Sequence, residues 1–112
     1  MIRHYILVGR EVMEVPLMEW ARWLETANRH VGDDTIADVR VSTIFLGLDV
    51  GMGWLYGTGP PLVFETMVFP DCDLIGRWAT LDEAEAEHNK LVAVYREVAD
   101  TMERAAHAHD DD

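Results

Sequence analysis

The chain has 112 residues, a length for one domain that buries about two-thirds of its unfolded surface, and 21 acidic against 9 basic residues leave a net charge of −12. That field repels phosphate backbones and anionic lipid, which disfavours ordinary nucleic-acid and membrane-surface binding. One cysteine, Cys72, excludes an intrachain disulfide, no segment approaches the roughly 20 apolar residues of a bilayer span, and Met1 to His4 lack the apolar run of a secretion signal, so a reducing cytoplasm is the expected setting.

In chain order, "HYILVGREVMEV" reads as two short strands, Tyr5 to Val8 and Glu11 to Val15, joined by a Gly9-Arg10 turn. Pro16 suits the first turn of a helix that ends near Asn28, with Leu17, Trp20, Ala21, Leu24 and Ala27 as its apolar stripe and Trp23 on the edge. "RHVGDDTIAD" holds a glycine and three aspartates and is predicted to be a loop. "VRVSTIFLGLD" is a β-branched and aromatic strand from about Val39 to Leu48. Asp49 to Gly59 is a glycine-rich loop whose Met52, Trp54, Leu55 and Tyr56 require a partner surface.

Leu62 to Phe69 is a second strong strand, its start set by Pro60 and Pro61, and apolar residues on both its faces predict cover on both sides. Leu74 to Ala79 is expected to pair back onto it. Thr80 and Glu83 form a capping-box signature for a terminal helix from about Leu81 to beyond Met102, with the stripe Leu81, Ala84, His88, Leu91, Tyr95, Val98 and Met102. Residues 1–106 are expected to form one α+β domain: an N-terminal hairpin and a three-stranded antiparallel meander, about five strands in all, packed by a short and a long helix. Residues 107–112, "HAHDDD", read as a disordered acidic tail.

Motifs for catalysis are sparse. Ser42 and Thr43 have no histidine close in sequence and no sharp elbow, Cys72 sits between acids that disfavour a thiolate, and the glycine-rich loop lacks the lysine of a phosphate cradle. The histidines and aspartates of the tail, and His30 with Asp33 and Asp34, read as polar segments; no metal and no cofactor are predicted. His88 lies on an apolar stripe, where a hydrogen-bonded core imidazole is the ordinary reading and a ligand role the other. Asp82, Glu83, Glu85 and Glu87 complement a helix dipole or imitate a row of phosphates.

The remaining constellation is Glu65 with Arg40 and Arg77 on flanking strands. A register that sets Met67 against Arg77 makes Glu65 and Arg77 diagonal neighbours. They form either a structural ion pair or, with Trp78, Trp54 and Tyr56 as aromatic walls, the polar anchors of a pocket for a flat polar ligand.

The runs "RVSTIFLGLD", "GPPLVFETMVF" and "RWATLDEAEAEH", with "YILVGREV" and "EWARWLE" before them, resemble a family of small phage- and prophage-encoded proteins of uncharacterised activity. The resemblance covers about residues 5 to 88, includes Arg40, Glu65, Arg77 and His88, and departs from the family between Asp49 and Gly59, where this chain carries an insertion. It implies an accessory protein of a bacterial virus acting in the host cytoplasm. With no credible nucleophile, acid–base pair or metal set beside the aromatic and arginine residues, the expected function is non-enzymatic: an anti-defence binding protein that sequesters a nucleotide-derived small molecule or a host defence protein, and the loop aromatics and long stripe of the last helix predict a homodimer. Its ligand-facing residues would be Glu65, Arg77, Trp78, Arg40, Trp54, Tyr56 and His88. The alternative is an acidic nucleic-acid mimic that blocks a basic host defence protein, and a third reading is an enzyme using Glu65 and His88 as acid and base.

Overall fold

A computed structural model describes residues 2–49 and 59–110. The chain is an α+β protein, its described residues forming two antiparallel sheets and two helices. Strands β1 (His4–Val8) and β2 (Glu11–Val15) form the expected hairpin, with Gly9 at φ 61° in the turn. Helix α1 (Leu17–Thr26) follows, and then a four-stranded meander, β3 (His30–Ile36), β4 (Val39–Phe45), β5 (Phe64–Phe69) and β6 (Asp73–Trp78), with each strand beside its sequence neighbours. Helix α2 (Leu81–Asp110) ends the described chain.

Strand β3 corrects the expected loop at "RHVGDDTIAD", so the described residues hold six strands where about five were expected. Its turn into β4 sets Ala37 at φ 53°, a conformation more usual for glycine or asparagine, so the turn carries none of the common hairpin signals. Helix α2 also runs through residues 107–110, expected to be disordered tail.

The sheet has one covered and one open face. Phe45, Thr43 and Val41 of β4 stand opposite Phe64, Thr66 and Val68 of β5, and all six are buried. Ala84, His88 and Val92 of α2 are buried on the same side. Tyr5, Phe45, Val63, Phe64 and Ala84 form one core cluster, with Leu7, Val12 and Trp23 against it; Val41, Val68 and Val92 form a second. The hairpin and α1 thus join α2 in one layer, and Trp23 meets Phe45 edge-on at 5.4 Å between ring centres. The α1 stripe is correct at Trp20, Leu24 and Ala27, but Trp23 packs into the core while Leu17 and Ala21 are exposed.

On the open face β5 presents Glu65, Met67 and Phe69, each half-buried. Two-sided cover of this strand, expected from its composition, is not found among the described residues: both helices lie on the other side. The start of α2 is held by the capping box, in which the Glu83 amide donates to Thr80 Oγ1 and the Ala79 amide donates to Glu83 Oε1, both at 3.1 Å.

Candidate functional site

Beneath α2 a chain of polar side chains crosses the core. The Trp78 indole N–H donates to Thr66 Oγ1 at 3.1 Å, Thr66 and Thr43 share a hydroxyl bond of 2.6 Å, and Thr43 Oγ1 lies 2.7 Å from His88 Nδ1. His88 Nε2 is 2.7 Å from Asp34 Oδ2, and the other Asp34 oxygen is 3.7 Å from an Arg96 nitrogen. One direction of donation satisfies every member: indole to Thr66, Thr66 to Thr43, Thr43 to an unprotonated Nδ1, and an Nε2–H to the carboxylate.

Two glycines make room for the chain. A Cβ on Gly32 would fall 2.5 Å from His88 Nε2, and one on Gly76 would fall 2.7 Å from the Trp78 ring. Gly32 therefore leaves the space on β3 that the imidazole occupies. Gly76, opposite Thr66, lets the indole fold back along β6 to reach that hydroxyl.

Thr43, His88 and Asp34 have the order of a hydroxyl–imidazole–carboxylate triad, but Thr43 is 0 % exposed and His88 is 3 % exposed. No substrate atom reaches that hydroxyl, so the arrangement is a satisfied core network rather than a nucleophile and base.

The open face carries the other candidates in rows across the sheet. His30, Ile44, Glu65 and Arg77 make one row; Asp33, Ser42, Met67 and Leu74 the next; Thr35, Arg40 and Phe69 the third. Glu65 lies directly opposite Arg77, and the Arg77 Nε–H donates to its Oε2 at 3.1 Å. The ion pair was one of the expected readings but the register differs by two residues: Arg77 stands opposite Glu65 rather than Met67, and past an irregularity between Thr66 and Met67, Met67 faces Leu74. At 14 % and 30 % exposure the two side chains are well shielded from water.

Arg40 makes two parallel bonds to Asp33, both at 2.8 Å, and its guanidinium lies 5.8 Å from the centre of the Phe69 ring. This hydrogen-bonded guanidinium holds the Asp33 carboxyl below the usual carboxylate range, and Asp33 in turn raises the Arg40 value. Beside the first row, Asn28, Arg29, His30 and Ile44 line an open groove of about 320 Å³.

The seven residues named from sequence therefore divide. Glu65, Arg77 and Arg40 share the open face, Trp78 and His88 lie in the covered core, and Trp54 and Tyr56 lie outside the described residues. Glu65 and His88, suggested as acid and base, are on opposite faces of the sheet. Asp34, Thr66 and Gly32 were absent from the expected set; the alternation of inward and outward residues in "HVGDDTI" is the one signal for the first and last. Among the described residues no group of three metal-ligating side chains converges, and no helix is long and apolar enough to cross a membrane.

The chain matches no family model, no curated protein and no solved structure.

Proposed function

We propose that this is a non-enzymatic binding protein, a phage accessory protein that occupies a host protein through the open face of its four-stranded sheet. The observation that carries this reading is the composition of that face: Ile44, Met67, Phe69 and Leu74 interleaved with the pairs Glu65–Arg77 and Arg40–Asp33. Methionine, aromatic and arginine side chains are enriched where proteins bury one another. The face is shallow and both arginines already hold carboxylates, which suits a broad protein contact better than capture of a nucleotide-derived molecule. The phage context comes from the sequence resemblance, and with it a bacterial cytoplasmic setting.

Mimicry of nucleic acid draws less support. Of the acids on the first turns of α2, Asp82 and Glu85 are engaged by Arg10 at 2.6 and 3.0 Å, and Glu83 serves the cap.

The test is affinity capture from bacterial lysate with the wild-type chain, a Met67→Asp, Phe69→Asp variant, and an Asp82→Ala, Glu87→Ala variant, at low and high salt. The reading expects a protein that is lost with the sheet variant and kept with the helix variant. Capture that survives the sheet variant, or that is lost with the helix variant and with salt, overturns it. Calorimetry with cyclic nucleotides and ADP-ribose tests the small-molecule version; tight binding that Arg77→Ala abolishes would replace the protein partner.

A further inference from the structure

Helix α2 is longer than the sheet it covers. Thirty residues at 1.5 Å each span about 45 Å; Arg96 reaches Asp34 of the sheet, and residues 100–107 are all exposed. The molecule measures 65 × 33 × 22 Å, with a radius of gyration of 17.7 Å against about 13 Å for a compact chain of this length. The free half is not a polar spacer. Val94, Val98 and Met102, spaced by four, are 51 %, 50 % and 68 % exposed, and Ala105 continues their stripe.

The charges beside that stripe select its occupant. Glu97 and Arg104, one heptad apart, border it on one side, while the other border is Tyr95, Ala99 and Ala106. Neither Glu97 nor Arg104 is in an ion pair among the described residues; Arg104 donates only to the Thr101 hydroxyl, at 3.3 Å. In a pair of antiparallel helices like border meets like border. If two copies cross at the level of Asp100, Val98 meets Met102 of the second copy and Glu97 comes beside its Arg104, and twofold symmetry makes each contact twice. A parallel pair gives neither charge a partner.

We infer that the free half of α2 is a self-association surface, on which a second copy of this chain docks antiparallel about a twofold axis near Asp100. The contact is small, and interfaces below about 1,200 Å² belong to weak complexes, so the dimer forms in the micromolar range and leaves both open sheet faces free. This inference is independent of what those faces bind.

Sedimentation equilibrium from low micromolar to several hundred micromolar tests it, with circular dichroism to verify folding. Wild type is expected to pass from monomer to dimer, and Val98→Asp to remain a monomer. Glu97→Arg and Arg104→Glu alone are each expected to weaken the dimer about tenfold, and the double swap to restore it. Orientation is read in a Cys72→Ser background: Thr101→Cys, close to the axis, is expected to cross-link readily, and Val94→Cys, about 18 Å from its counterpart in the antiparallel pair, is not. A monomer at all concentrations, a double swap that fails to restore association, or faster cross-linking of Val94→Cys would overturn the proposal.

Discussion

Thr43 and His88, 45 positions apart in the chain, share a hydrogen bond of 2.7 Å in the buried layer between the sheet and α2. That bond joins the hydroxyl pair of the two central strands to the imidazole–carboxylate pair that ties α2 to β3. The polar line it completes gives the apolar layer a single way to assemble, because any slip of α2 leaves several buried donors and acceptors without partners.

Thr43→Val keeps the shape and deletes the hydroxyl, leaving His88 Nδ1 and the Thr66 hydroxyl unmatched. A loss of about 1–3 kcal/mol is expected, read by urea unfolding, with Thr43→Ser retaining most of the stability. A valine variant within about 0.5 kcal/mol of wild type would show that the line contributes nothing net.

Gly32→Ala places a methyl group where the imidazole of His88 now lies, and overpacking of this kind costs about 1–3 kcal/mol. Combined with His88→Ala the penalty should shrink, because the clash disappears with the ring. A double-mutant cycle that returns additive losses would contradict this contact.

The two classes of ion pair should respond differently to salt. Glu65–Arg77 is shielded, so Glu65→Ala, which strands the guanidinium, is expected to cost about 1–3 kcal/mol and to do so at high ionic strength as well as low. Arg10, exposed beside Asp82 and Glu85, should lose most of its contribution in 1 M salt, where the screening length is about 3 Å. Equal salt dependence in Glu65→Ala and Arg10→Ala would refute the distinction.

Acid should weaken the fold partly through Asp33. Its folded-state pKa is depressed, chiefly by the hydrogen bonds from Arg40, so its contribution is present above the unfolded carboxyl value and fades as pH falls through the folded one. Arg40→Ala, which returns Asp33 toward its ordinary value, should flatten stability-versus-pH below about pH 4. An unchanged acid limb in that variant would assign the acid sensitivity to other carboxylates.

Much of the fold was legible because local and global preferences agree. The Gly9-Arg10 turn, the strong strands around Phe45 and Phe64, and the Thr80–Glu83 cap each carry their own signal. Strand β3 was not legible for a tertiary reason: Gly32 and Asp34, two of the residues that most suggest a loop, are the ones His88 needs as a bare backbone and as a hydrogen-bond acceptor. The pairing of Glu65 with Arg77 followed from strand order, but its register did not: sliding β6 by two residues keeps Arg77 on the same face, so the alternation of side chains cannot distinguish the two registers. The division of the site residues between two faces is a matter of strand parity. Arg77 and Trp78 are adjacent in sequence and therefore point to opposite sides of the sheet.

Arg10, at the tip of the first hairpin, grips Asp82 across 72 residues of chain. Because that grip is on the opening turns of α2, it forms only after those turns have been made, whereas the Tyr5 amide can already donate to the Gly47 carbonyl. Synthesis of the thirty residues of α2 takes on the order of seconds, during which the cluster around Tyr5 lacks Ala84 and the central strands lack their cover. Docking of α2 therefore follows synthesis of every strand it covers, and nascent chains arrested before Leu81 should be the ones that engage chaperones.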